Sequence, residues 1–156
     1  EDLTNLMNGH VFAYNGAPLR GLKIEFRDGH MIQSGTLHKG VDIPFKMKAE
    51  VSVTSDGMLR IHPIDTDIFC VDGDKLMSAL HLSLEKMVDV SKAVGVRIVG
   101  NDFLNDPTRV LPPPTIHARL LAVRIEGNQL VQQLGPLAGS EAQLAINRHG
   151  STASTR

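Results

Sequence analysis

The sequence predicts an α+β domain in which one antiparallel sheet of about seven strands wraps one long helix, in the order β-β-β-β-α-β-β-β. Three observations carry this. Most of the chain alternates apolar and polar residues with the period of two that a half-buried strand requires. Asp-Gly, Asn-Gly and Gly-Asn pairs separate these runs and favour tight turns. One stretch, DKLMSALHLSLEKMVDV at 74–90, has the period of a helix instead.

Residues 2–13 place Leu3, Leu6, Met7 and His10 at helical spacing. Gly9 weakens that pattern, because glycine costs roughly 1 kcal/mol in a helix interior. The segment reads as a short helix or a frayed arm. Asn15-Gly16-Ala17-Pro18 then turns the chain. Leu22, Ile24 and Phe26 alternate with Lys23 and Glu25 as a strand, and Arg27-Asp28-Gly29-His30 makes a hairpin. Residues 31–38 return as a second strand, with Gly35 a candidate bulge. His38-Lys39-Gly40 ends it. Residues 45–54 give the clearest strand. Phe45, Met47, Ala49, Val51 and Val53 face one way, and Lys46, Lys48, Glu50 and Ser52 the other. Ser55-Asp56-Gly57 turns into residues 58–69, with Leu59 and Ile61 inward. Pro63 lacks a backbone donor, so this strand bends there or lies on an edge.

The helix at 74–90 lines up Leu76, Leu80, Leu84 and Met87, with Met77 and Val88 beside them. Lys75, Ser78, Glu85, Lys86 and Asp89 fall mostly on the other side. Asp72 and Asp74 suit its N-cap and first turn. Residues 96–99 form a short strand, and Gly100-Asn101-Asp102 and Asn105-Asp106-Pro107 are turns. Pro112-Pro113-Pro114 stiffens the entry to a long strand at 115–126. There Ile116, Ala118 and Leu120 are even, whereas Leu121, Val123 and Ile125 are odd. The change of parity predicts a bulge or strong coiling. Gly127-Asn128 turns into a last strand at 130–134. Residues 1–135 read as one domain. Residues 136–156 read as a flexible or truncated tail, with a strand conceivable only at 143–147.

A chain of 156 residues can build a core without disulfides or metals. The net charge of −1, with basic residues scattered, gives no footprint for nucleic acid. No apolar run is long enough for a transmembrane helix. The chain opens on Glu1, as after removal of a leader or excision from a longer protein, so no signal peptide is visible to decide export. Cys70 has no cysteine partner and sits between Phe69 and Val71, as a structural thiol would. With no Trp, one Tyr and five Phe, the interior falls to Leu, Ile, Val and six Met. Methionine-rich surfaces adapt to varied apolar ligands.

Nothing in the pattern argues for catalysis, a metal or a cofactor. No two histidines stand at i, i+4 on a helix, and there is no H-E-x-x-H. His38, His62 and His117 fall on predicted strands, with no spacing that makes them metal ligands. His81 lies at the boundary of the helix's apolar stripe. Asp65, Asp67, Asp72 and Asp74 lack the spacing of a calcium loop and serve capping and solvation better. There is no G-x-S-x-G, phosphate loop or dinucleotide fingerprint. Glu50 and Glu85 are solvent-facing by pattern.

What remains is apolar surface. Phe45, Met47, Val51, Val53, Leu59 and Ile61 on the sheet can bury Leu76, Leu80, Leu84 and Met87 on the helix. Packed tightly, these residues make a dry core. Left partly open, they line a channel for acyl chains, with Lys39, Lys46, Lys48 or Arg119 near an anionic head group.

The segments GTLHKGVDIPFKMKAEVSVTSDGMLRIHP, VRIVGNDFLNDPTRVLPPPTI and HARLLAVRIEGNQLVQQLG, with the helix between the first two, resemble the LmeA-like phospholipid-binding proteins of the bacterial cell envelope. These are related in fold to the tubular lipid-binding (TULIP) superfamily. The likeness covers roughly residues 20–135 and lies in the order of features, not in one signature. It implies a highly curved sheet around the helix, as a half-module. It also implies non-enzymatic phospholipid binding or transport in the periplasm or cell envelope, and no catalytic residues. Implied partners are a lipid or other long apolar ligand, and a membrane surface. The competing reading is a structural or protein-interaction module with a dry core, acting through a sheet edge and assembling as a homo-oligomer.

Overall fold

The computed structural model describes residues 3–68, 83–111, 113–114 and 116–137. A short helix α1 (Leu3–Leu6) runs into a π-helical turn (Met7–Val11) closed by Phe12 N donating to Met7 O at 2.8 Å. Four antiparallel strands follow: β1 (Leu19–Arg27), β2 (His30–His38), β3 (Asp42–Val53) and β4 (Leu59–Ile68). After the single turn α2 (Leu84–Met87) come β5 (Val96–Val99) and β6 (Asp102–Asn105), then α3 (Pro107–Val110). These strands make one six-stranded sheet in the order β1-β2-β3-β4-β6-β5. Among the described residues the hairpin of β7 (Arg119–Glu126) and β8 (Gln129–Gly135) pairs only with itself. The α+β class and the mostly antiparallel pairing are as the sequence predicts.

The turns follow residue chemistry. Asp28 and Gly29 both take positive φ, 51° and 72°, between β1 and β2. That is the two-residue loop whose twist matches the strands it joins. The register of β1 on β2 shifts between Arg20 and Lys23, so Gly21 and Leu22 oppose Gly35 alone. The extra residue lies in β1, while Gly35 supplies the close approach. A Cβ there would sit 2.9 Å from Leu22 Cδ2 and 3.0 Å from Arg20 O.

Pro63 does both things expected of it. The β3–β4 register slips between Lys48 and Ala49, leaving Ile64 unpaired. Strand β4 pairs with β6 only at 59–61, so Pro63 also lies on a local edge, where a missing donor costs little. In β7 the slip falls between Leu120 and Ala122. Leu121 is the extra residue, and parity changes there as predicted. The strand begins at Arg119 and not at 115, because its last partner on β8 is Gly135.

Two expectations need correction. Of the helix expected at 74–90, only Leu84–Met87 is helical among the described residues. Val88 is extended (φ −119°, ψ 111°), and Val88 and Val90 are buried while Asp89 is exposed. The Val-Asp-Val alternation wins over the helical period there. Residues 74–82, with Leu76, Leu80 and His81, lie outside the described residues, as do Cys70, Asp72 and the tail from 138. The turn-rich reading of 100–107 missed β6, and the described residues form eight strands in two sheets in place of about seven in one. Gly100 (φ 61°) and Asn101 form a two-residue hairpin loop from β5 into β6.

One face of the sheet is apolar and covered. It carries Met31, Met47, Ala49, Leu59, Ile61 and Phe103, all buried. Val11, Phe12, Val88 and Leu120 join the same core from the covering segments. The opposite face bears an exposed Lys23–Glu25 and a half-buried Arg60–Asp102 ion pair.

The free edge of β1 is closed by side chains. Thr4 Oγ1 accepts from Ile24 N at 3.0 Å and donates to Ile24 O at 3.3 Å. Asn8 Oδ1 accepts from Leu22 N at 2.9 Å, and its Nδ2 donates to Leu22 O at 2.7 Å. Asn128 Oδ1, from the β7–β8 turn, accepts from Phe26 N at 3.1 Å. The match is geometric. Four helical residues rise about 6 Å, and two strand residues rise about 6.6 Å. Side chains at i, i+4 on the helical arm therefore meet strand residues at i, i+2. Asn8→Ala leaves the Leu22 amide and carbonyl without these partners, at about 1 kcal/mol. It also uncovers a strand edge. The expected result is a lower urea midpoint together with concentration-dependent self-association in sedimentation. A variant with unchanged stability that stays monomeric at high concentration would show that the edge needs no cap.

Candidate functional site

Alternation along β3 sends Phe45 and Met47 to the covered face, beside Leu37 of β2 and Leu19 of β1. Across from them the turn α2 presents Leu84 and Met87, three residues apart and so on one side of a helical turn. Hydrogen bonds fix that turn. Leu84 N donates to Asn101 Oδ1 at 3.0 Å, Glu85 N to Gly100 O at 3.0 Å, and Gly100 N to Glu85 Oε2 at 3.2 Å. Lys39 Nζ donates to Lys86 O.

Between these walls lies a groove of about 290 Å³, with Val88 and Phe103 on its floor and Ile64 among its lining residues. Beside it, beyond Ile61, β4 has a partner on one side only among the described residues and bulges at Ile64. Among the described residues the polar lining is Asp65, Thr66 and Asn101, with no lysine or arginine.

Of the residues expected to line an apolar channel, Phe45, Met47, Leu84 and Met87 meet here. Leu59 and Ile61 share the face but line a separate cavity of about 240 Å³ further along β4. Val51 and Val53 pack half-buried against the core and line neither space. The cations expected at the mouth are elsewhere. Lys46 and Lys48 alternate with Phe45 and Met47 and so take the outer face. Arg119 packs beside Gly57, and Lys39 lines a broad polar cleft on the far side of α2.

A charged cluster on the outer face was not legible in the sequence, because β6 was not. Asp102 accepts from Arg60 Nε and from His62 Nδ1, each at 2.6 Å. Partial burial pushes the Asp102 carboxyl up. The hydrogen bonds from Arg60 and His62 outweigh it and hold the group below the usual carboxylate range. No hydroxyl or thiol of the described residues pairs with His62, so the cluster works as a strand-to-strand tie. His38 pairs with Asp42 at 2.6 Å, and His117 is exposed. Among the described residues no three His, Cys, Asp or Glu side chains come together as metal ligands. None of the helices described is long and apolar enough to cross a membrane.

No protein-family model matches the chain, and no curated protein or solved structure does either.

Proposed function

We propose that the protein binds lipid acyl chains without catalysing a reaction, in the groove between α2 and the β1–β3 end of the sheet. The observation that carries this is the meeting of Phe45, Met47, Leu84 and Met87 around an apolar space of about 290 Å³. At ~30 Å³ per water-sized group that space takes on the order of ten methylenes. Their burial is worth roughly 8 kcal/mol at about 0.8 kcal/mol each, before the cost of association. The ceiling is therefore near micromolar affinity for one chain segment. Methionine walls suit chains of varied length and unsaturation.

No cation is among the described lining residues, so in this reading affinity comes from the chain and not the head group. Binding is then insensitive to salt. The phospholipid cargo and the bacterial envelope setting are supported by the resemblance of the sequence segments to the LmeA-like proteins. The alternative, an interaction module with a dry core, draws on the outer edge strand β5, which ends on the exposed Val99 and follows the exposed Val94 in the preceding turn. The capped edge of β1 argues against that reading on the other side.

The test is native mass spectrometry of freshly purified protein, then organic extraction. A ladder of adducts spaced by methylene units is the expected result. A bare mass, unchanged after incubation with phospholipid vesicles, overturns the reading. Leu84→Glu places a charge in the groove wall and is expected to reduce uptake of a fluorescent fatty acid at least tenfold, with circular dichroism unchanged. Lys86→Glu, exposed on the same turn, is expected to alter it less than twofold. Equal uptake by the two variants would remove the groove as the site.

A further inference from the structure

The second cavity shares no lining residue with the groove and has a different chemistry. It measures about 240 Å³ and lies between the helical arm, the sheet, α3 and the β7–β8 hairpin. Leu6 and Met7, Leu59 and Ile61, and Leu130 and Leu134 give it apolar walls. One wall carries an amide. Asn105, on β6 directly opposite Leu59, is only 4% exposed. Its Oδ1 is buried with no hydrogen-bond partner.

A native interior rarely leaves a buried carbonyl oxygen unpaired. Asn105 lines this largely apolar chamber, as in a ligand site where few polar groups fix orientation. We propose that this cavity binds a small neutral molecule with an apolar body and one hydroxyl, an alcohol or a phenol, which donates its proton to Asn105 Oδ1.

The chemistry narrows the ligand from three sides. An anion is disfavoured, because no cation among the described residues lines the cavity and a buried unpaired charge is costly. A pure hydrocarbon fits the walls but leaves the amide unpaired. A full acyl chain is too large, since ~30 Å³ per group leaves room for on the order of eight heavy atoms. Gln132, on the hairpin wall, offers a second amide for the same hydroxyl to accept from.

The experiment compares 4-methylphenol with 4-methyltoluene by calorimetry on the full chain. The two have the same shape and differ by a hydroxyl in place of a methyl. The phenol is expected to bind at least tenfold tighter, which is about 1.4 kcal/mol. Asn105→Leu keeps the volume and removes the acceptor, and is expected to abolish that preference while the toluene still binds. Leu130→Trp fills the cavity and keeps Asn105, and is expected to block both probes without touching acyl uptake in the groove. Equal affinity for the two probes overturns the assignment of Asn105. Binding of neither probe, with Asn105 paired to trapped water, overturns the site itself. Neither result bears on the acyl groove, whose lining is separate.

Discussion

Met31→Ala is expected to destabilise the domain by about 4 kcal/mol, read as a lower urea midpoint with an unchanged slope. Met31 is fully buried, and its neighbours across the sheet are Phe26 on β1 and Ala49 on β3. Ala49 is itself fully buried and has no side chain beyond its methyl to move into a void. A cavity left here therefore stays open, which puts the loss in the upper part of the range for such truncations. A domain of this kind has only about 5–15 kcal/mol in all. Met31→Leu conserves volume and is expected to cost less than about 1.5 kcal/mol. A Met31→Ala variant as stable as the parent would mean that the sheet face collapses freely, and that the covering layer is not packed as described.

That test bears on what the sequence could and could not reveal. Strand β3 was legible because its evidence is local. Each side chain from Phe45 to Val53 declares its face, and Asp56-Gly57 declares the turn. Pro63 and the parity change at Leu120–Leu121 were legible for the same reason, since each marks a bulge within two residues of itself. The helix at 74–90 was contested by its own end. Val88, Asp89 and Val90 satisfy a strand-like alternation as well as a helical one, and burial chose the former. Strand β6 hid among turn formers, because four residues with Asp at one end and Asn at the other carry too few apolar positions to show a period. The Asp106-Pro107 pair could have revealed α3, since Asp106 accepts from Thr108 N at 3.0 Å with Pro at the helix start.

The candidate site was legible only as a list of inward residues. Its division into two spaces depends on where the β7–β8 hairpin lies, which no local pattern encodes. The caps on β1 join residues 14, 20 and 102 positions apart in sequence. The orphaned oxygen of Asn105 becomes visible only once every donor around it has been placed.

Leu120→Ala is expected to cost about 2–4 kcal/mol, and to do so differently from Met31→Ala. Leu120 is 2% exposed and is the one buried core residue that the hairpin contributes among the described residues. Among those residues the hairpin has no strand partner in the main sheet. It is held by the Leu120 side chain, by Leu120 N donating to Gly57 O at 3.3 Å, and by Asn128 on Phe26. Gly57 takes φ 79°, and a Cβ there would lie 3.0 Å from Arg119 Cβ, so the hairpin rides directly on that turn. Removing the Leu120 anchor should therefore open the hairpin as a local unit before the sheet unfolds. Hydrogen exchange is expected to quicken across residues 119–135 while β2 and β3 keep their protection. The loss also exposes Leu59, Ile61 and Val53 beneath it, so dye binding to apolar surface should rise below the unfolding transition. Uniform loss of protection would show instead that the hairpin and the sheet unfold as one unit. The wall of the second cavity would then be as rigid as the sheet, and a ligand could enter it only past the helical arm.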